Sequence, residues 1–398
     1  MNEKLLEGIR FFTGEEGILS GLSVICGNGE HTESAMDGED IRASSVFDLA
    51  SGTKLFTGLV AMRLKEAGVL DFSRRVTFYD PRFDMLGDTT VEELMSFAVT
   101  IRTPLRLDAC PDRESAMRAL FAASVTEKAE KRPYSDIPAM VLKYVIESAT
   151  GESLYGCVRE LILQPAGMRE TWARVPEARR EDCQLYDGEH RIEAGRWIVR
   201  TGLPRGIPHD PKAAVLQGDT GDLCGHAGLF STLEDMARFC RAVLAGRIVG
   251  EASLREMAIN RTGHRLPDGG WSQFLGYQCY LRHPDQYYSE IPAYMGMRAF
   301  GIGGFTGNHV SMDPERNLFT VFLGNRVKNR LTVLVPEEGK TLADYGLKPD
   351  GRGMIRWEDG EIIHSSVQYV HHKDAHLHRA VMQALSLPEI PFRLCEDR

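Results

Sequence analysis

Residues 47–70 constrain this chain more than any other stretch. They read as one helix, with Leu55, Leu59, Val60 and Met62 recurring at helical spacing, so the segment should be buried. Gly68 suits its C-terminal stop. Ser51 and Lys54 are one turn apart near its start and share a face. A hydroxyl at a helix start sits in a positive partial field. A lysine pressed into apolar surroundings is driven toward the neutral amine, and a neutral amine can take the serine proton. The same two residues also fit a capping serine and a solvated lysine. A Ser-x-x-Lys spacing arises by chance in chains of this length, so the remaining motifs must decide.

The 398 residues allow one large domain or two intimately linked ones. Apolar content of 43% and charged content of 26% match an ordinary globular protein. A net charge of −9 argues against a nucleic-acid surface. No stretch has the length of a membrane-spanning helix, and the acidic N-terminus lacks the basic start and apolar core of a secretion signal. A cytoplasmic location follows as an expectation. The eight cysteines are scattered without a Cys-x-x-Cys pair, which points to buried free thiols and away from disulfides or zinc.

In chain order, a short amphipathic helix at 3–12 precedes a strand at 21–26, a turn at 27–29, a second strand, and a third at 45–49. Residues 71–203 are helical in texture. Thr90 opens a helix at 91–97, another covers 114–123, and an apolar one at 137–149 ends at Gly151. An amphipathic helix at 153–163 should stop at Pro165, and 182–199 suits a hairpin. A helix after Phe230 has Ser231 or Thr232 as cap and Glu234 and Asp235 in its first turn. Strands are expected at 276–281, 307–312 and 318–323, with a turn at 313–317. A less regular tail holds a hairpin across 354–370 and a closing helix at 374–386. The order predicts an α+β protein: an antiparallel sheet flanked by helices, built from 1–70 and 225–398, with 71–224 as a mainly helical insertion. The Ser51 helix lies at their junction, where binding sites concentrate.

A second motif, Tyr134-Ser135-Asp136, precedes the apolar helix at 137–149. A phenol near an amine can relay its proton, and Asp136 can orient substrate or lysine, or cap the helix behind it. Gly225-His226-Ala227-Gly228-Leu229-Phe230 and Gly304-Phe305-Thr306-Gly307 follow, then Asp313-Pro314-Glu315-Arg316. In this order and spacing the motifs resemble the serine hydrolase family of class C β-lactamases, penicillin-binding D-Ala-D-Ala peptidases and related esterases. The likeness runs from about residue 21 to 327 and again in the closing helix.

The resemblance implies Ser51 as acylated nucleophile, Lys54 as its base or the group that keeps the base deprotonated, and Tyr134 as shared general base and acid. It implies Asp136 where much of the family has Asn. It implies an oxyanion hole from the backbone N–H groups of Ser51 and Phe305. The chain departs from the family at the third motif: Ile302-Gly303-Gly304 stands where the family has Lys-Thr-Gly or His-Thr-Gly. Without that cation and hydroxyl a substrate carboxylate loses its charge-assisted partners. A small neutral ester or amide, hydrolysed or passed to another acceptor, then fits better than a β-lactam or a peptide C-terminus. A binding or sensor module without turnover is the rival.

His226 either replaces the missing cation in the acyl pocket or braces its loop. His209-Asp210, before Pro211, either orients substrate or braces its loop, the brace being the simpler reading. The cluster His371, His372, His376 and His378 lacks matching acids or thiols, and neither a metal nor an organic cofactor is expected. Trp271, Tyr277, Tyr287 and Tyr288 either line a pocket or pack. The expected partner is a small-molecule substrate, with no nucleic acid and no membrane, and the oligomeric state is open.

Overall fold

The computed structural model describes residues 2–390 apart from 16, 29–30, 127–131, 287–288, 350–354, 358–361 and 368. Six antiparallel strands form the main sheet, in the order Tyr280–Leu281, Phe300–Gly304, Asn308–Asp313, Leu318–Asn325, Gly21–Gly27, Thr32–Gly38. The early and late strand regions therefore meet in one sheet, as the order of elements predicts. They join where Ile25 lies opposite Val321 and Val24 opposite Phe322. Alternation then sends Ile25, Phe319, Val321 and Leu323 to one face and Val24, Cys26 and Phe322 to the other. The first face packs on the helices Thr53–Glu66 and Leu233–Leu244, where Phe56 stacks on Phe239 at 4.3 Å. The second packs on Glu3–Arg10 and the closing helix Tyr369–Ala384.

The helix Thr53–Glu66 is buried on nearly every side because it lies between this sheet and the helix Ile137–Thr150. Its end matches the expectation, with Gly68 at a positive φ of 71°. Thr90 and Glu93 form a reciprocal cap for Val91–Ser96, and Thr232 caps Leu233–Leu244. A small sheet, Val46–Asp48 with Phe230–Thr232 and Thr171–Trp172, joins the approach to Ser51 to the loop at 225–229. There Leu49 N donates to Leu229 O at 2.9 Å, and Leu229 N to Thr53 Oγ1 at 3.2 Å.

Three expectations are corrected. The helix beginning at Leu154 does not stop at Pro165. It widens through a π turn at Arg159–Leu163 and runs on to Gly167, at φ +72°. A wider turn has already displaced the hydrogen-bond ladder, so the missing proline N–H is tolerated. The strand expected at 276–281 shrinks to Tyr280–Leu281, because Gln278 adopts φ +55° while its N–H and side-chain amide donate to Met95 O and Leu94 O. The tail holds an unexpected strand, Arg330–Val335, parallel to both Ile362–Ser365 and Glu189–Glu193. The hairpin expected within 182–199 is Glu189–Glu193 with Arg196–Arg200. The later hairpin pairs Ile355–Trp357 with Ile362–Ser365, its turn lying outside the described residues. So do Gly29, Tyr287, Tyr288 and the side chain of His371.

Seven cysteines are free among the described residues, six of them buried. No helix among those residues is long and apolar enough to cross a membrane.

Glu189 ties the strands Glu189–Glu193, Arg196–Arg200 and Arg330–Val335 to one another and to the loop at 209. Its carboxylate is fully buried and binds Thr332 Oγ1 at 2.6 Å, Arg200 Nη1 at 2.9 Å, His209 Nε2 at 2.9 Å and Arg191 Nε at 3.1 Å. Burial raises its pKa, but the His209 bond and charge, Thr332 and Arg191 outweigh that and lower it to about 2. The stability it contributes is therefore complete above the unfolded value of 4.5 and lost as pH falls from there toward about 2. Glu189→Ala should cost about 3–5 kcal/mol in urea unfolding at pH 7, because it leaves the half-buried Arg191 and Arg200 without their carboxylate. Glu189→Gln should flatten the melting-temperature profile between pH 4.5 and 2.

Candidate active site

The turn that presents Ser51 is held by Asp48. Ala50 sits at φ +46°, a left-handed conformation that costs an L-residue about 1–2 kcal/mol. Asp48 Oδ1 holds it by accepting Ala50 N–H at 2.8 Å, and Oδ2 accepts His209 N–H at 2.7 Å. Asp48 O accepts Thr306 Oγ1 at 2.8 Å and Asn308 Nδ2 at 2.6 Å. One buried residue thus ties together the serine turn, the loop at 209 and the turn after Gly304. Burial raises the Asp48 carboxyl, and the two N–H donors only partly offset this.

Lys54 is wholly buried. Its Nζ donates to Ser51 Oγ at 3.0 Å, Asp136 Oδ1 at 2.7 Å and His226 O at 3.2 Å. The apolar surroundings expected around it are corrected here, since a carboxylate faces the amine directly. Asp136 takes the N-cap position of Ile137–Thr150 but caps nothing, because both its oxygens serve lysines: Oδ1 Lys54 and Oδ2 Lys212, each at 2.7 Å. Burial pushes the Asp136 carboxyl up, but Lys54, His226 and Lys212 together hold it well below the ordinary range.

Tyr134 lies between Phe97 and Tyr280, ring centroids 5.4 and 5.1 Å away, and its backbone N–H donates to Gln273 Oε1 at 3.2 Å. Lys54 Nζ stands 4.9 Å from its ring centroid. The phenol oxygen is buried without a hydrogen bond of full geometry, though the Ser51 hydroxyl bears on it. Burial first, then the charge of Asp136, pushes its pKa well above 10; Ser51 and Lys212 oppose this.

The His226 ring is wholly buried, with Nε2 3.1 Å from Asp210 Oδ1, and its carbonyl is the group that reaches Lys54. Ile302 points into the core, so the third motif places no cation on this strand. Gly304 runs close beside the serine turn: a Cβ there would lie 2.6 Å from Leu49 O. The Phe305 ring stacks on His209 at 5.6 Å, with Arg326 Cζ and Arg191 Cζ 5.0 and 5.5 Å from its centroid.

Lys212, Asp48 and Tyr280 are the parts that sequence reasoning missed, while Asp210 braces its loop as expected. Asp210-Pro211 is a helix-start signal that was legible: Asp210 Oδ1 accepts Lys212 N–H and Ala213 N–H, both at 2.9 Å. That geometry throws the Lys212 side chain toward Asp136. Asp136, Asp210 and His226 bring ligand atoms within 4.8 Å, the one such grouping among the described residues. The Lys212 ammonium already lies against both carboxylates, 2.7 Å from Asp136 Oδ2 and 3.4 Å from Asp210 Oδ2. In the tail, His376 stacks on Phe11 and His378 pairs with Asp374 at 3.0 Å. Tyr277 is core, its hydroxyl 2.8 Å from Glu92 Oε1, and Trp271 packs on Phe274 and His283.

A family model described as Beta-lactamase matches residues 13–337. A putative D-alanyl-D-alanine carboxypeptidase of Salmonella paratyphi B is 27% identical over 315 residues, covering 72% of this chain and 71% of that protein. Among solved structures, EstCE1, a hydrolase with promiscuous acyltransferase activity, superposes with a TM-score of 0.62 at 18% identity over 81% of this chain and 94% of its own. EstA from Arthrobacter nitroguajacolicus Rue61a gives 0.62 at 16% identity over 96% of each chain. The octameric penicillin-binding protein homologue from Pyrococcus abyssi gives 0.61 at 19% identity over 81% of this chain and 73% of its own. At these identities the structural likeness establishes the fold.

Gly304→Ala tests the approach of the strand to the serine turn. The added methyl must push against the Leu49 backbone and displace Phe305 N–H. Acyl transfer from an activated ester should fall about 10²-fold, the loss typical of one oxyanion donor, in steady-state kinetics. Unaltered kinetics would show that this strand takes no part.

Proposed function

Because this chain belongs to the β-lactamase family, we propose that it is a serine hydrolase that works through an acyl-enzyme on a small neutral ester or amide. The observation that carries the reading is the contact of Ser51 Oγ with Lys54 Nζ at 3.0 Å, beside a buried phenol with no firm partner of its own. Ser51 Oγ attacks the substrate carbonyl as its proton passes to the Lys54 amine. Tyr134 relays a proton to the departing alcohol or amine. Water then enters by the reverse path and releases the acid, or an alcohol or amine acceptor takes the acyl group as an ester or amide, and either way Ser51 regains its proton. Positioned proton transfer of this kind contributes about 10²–10⁴-fold. Ser51 N–H and Phe305 N–H are the proposed oxyanion donors. Asp136 keeps Lys54 in place, and His226 and Gly304 hold the walls against which the acyl group lies. The free thiols support a reducing, cytoplasmic setting.

The carboxypeptidase name of the curated relatives supplies a second reading. Ile302-Gly303-Gly304, without cation or hydroxyl, counts against it. A fluorophosphonate probe should label the Ser51 peptide, and p-nitrophenyl acetate should give a burst. Ser51→Ala and Lys54→Met should lose both, with kcat/KM down at least ~10³-fold. Nitrocefin and a D-Ala-D-Ala peptide should be turned over poorly. No label and no burst would sink the proposal, and a stable adduct without product release would favour a sensor.

A further inference from the structure

Asp136 is shared between two ammonium groups, one oxygen to each, at equal distances of 2.7 Å. Lys54 is the inner one and touches the nucleophile. Lys212 is the outer one, with about a quarter of its side chain exposed. The second cation is not held there by chance of rotamer. Its backbone N–H is fixed on Asp210 Oδ1, Pro211 sets the first helical position beside it, and Asp210 is itself held by His226 Nε2 at 3.1 Å. The result is an unbroken chain of contacts from His226 through Asp210, Lys212 and Asp136 to Lys54 and Ser51.

The bonds around Lys54 define what this chain has to do. Asp136 and His226 O can only accept. A neutral Lys54 amine keeps both of those donations and turns its lone pair to Ser51 Oγ, so the geometry suits the base form as well as the ammonium. What opposes proton loss is the negative charge of Asp136. A carboxylate paired with Lys54 alone would hold that proton on the amine.

We infer that Lys212 is a positioning residue for acylation: by occupying the second oxygen of Asp136 it balances that carboxylate when Lys54 is uncharged, so that the amine is free to accept the Ser51 proton. This rests on the serine-hydrolase reading. In the step, the Ser51 O–H bond breaks, its proton moves to Lys54 Nζ, and its electron pair forms the bond to the substrate carbonyl carbon. Lys212 keeps its own proton throughout. Burial disfavours its charge, but Asp136 and Asp210 outweigh that and raise its pKa. The charged and titratable groups that face this set are Asp136, Asp210, His226, Tyr134 and the two lysines, with Asp108 bearing on Lys212, Asp48 and Cys224 on Asp210, and Tyr280 on Tyr134 and Asp136. Lys212 acts in the same sense on Tyr134, where its charge opposes the upward push of Asp136. The strand that carries Ile302 offers no cation for the task, and Lys212 brings one in from a different element.

The test is the pH profile of acylation. Removing a positive charge beside Lys54 favours its protonated form, so the acidic limb of kcat/KM should move to higher pH. In Lys212→Gln and Lys212→Met the shift should be about one pH unit or more, a tenfold loss on the limb that vanishes on the alkaline plateau. Lys212→Arg should restore the wild-type profile. A merely structural lysine would lower the rate evenly or lower the melting temperature without moving the limb. Lys54 itself is followed by NMR of protein labelled with 13Cε-lysine, its signal assigned with Lys54→Arg. It should titrate at higher pH in Lys212→Gln. An unmoved limb and an unmoved Lys54 titration in Lys212→Gln, or an arginine variant shifted as far as the glutamine one, would overturn the inference. If the wild-type protein fails to label at Ser51, the hydrolase reading falls, while the NMR titration still decides whether Lys212 governs Lys54.

Discussion

A lysine with no exposed surface must find a partner for every proton it carries. Lys54 finds a hydroxyl, a carboxylate and a backbone carbonyl, drawn from three separate parts of the chain. Ser51 comes from its own turn of helix, Asp136 from the start of the apolar helix at 137–150, and the carbonyl of His226 from the loop before the strand Phe230–Thr232. Each of these must be placed before the lysine can be buried at acceptable cost. Much of the architecture around the serine helix serves that placement. The small sheet through Val46–Asp48 brings the 225–229 loop alongside, and the sheet and the apolar helix enclose the rest.

Asp48 plays the matching part for the backbone. A left-handed alanine just before Ser51 is unfavourable by itself, and it persists because the carboxylate behind it accepts its N–H. The carbonyl of Asp48 then holds Thr306 and Asn308, so the turn after Gly304 cannot drift from the serine turn. The side-chain machinery and the backbone machinery of the site are thus braced independently, one through Lys54 and the other through Asp48. The two braces meet at the loop that carries His209 and Asp210, where the His209 N–H binds Asp48 and Asp210 faces Lys212.

Much of this was legible before any coordinates. The buried character of 53–66, the caps at Thr90 and Thr232, the stops at Gly68 and Gly151, and the joining of early and late strands all follow from periodicity and turn chemistry. What escaped did so for identifiable reasons. Pro165 marks a helix end only if the hydrogen-bond ladder is regular, and a π turn had already broken it. Gln278 breaks a strand because Leu94 and Met95, far away in sequence, offer it carbonyls. The strand Arg330–Val335 is supported by parallel neighbours on both sides, and its own alternation is weak because little of it besides Leu331 and Thr332 is deeply buried.

By itself the sequence determined the order of elements, the burial of the serine helix and the adjacency of Ser51 and Lys54, because helical spacing and turn residues act locally. Only the tertiary structure decided what charge the lysine would face. Asp136 reads equally well as a helix cap or as a partner for a cation, and Lys212 reads as one more surface lysine. Their pairing depends on two helix starts, about seventy-five residues apart, arriving side by side. Long-range electrostatics leaves no periodic mark in a sequence, since it is set by distances that exist only once the chain has closed on itself.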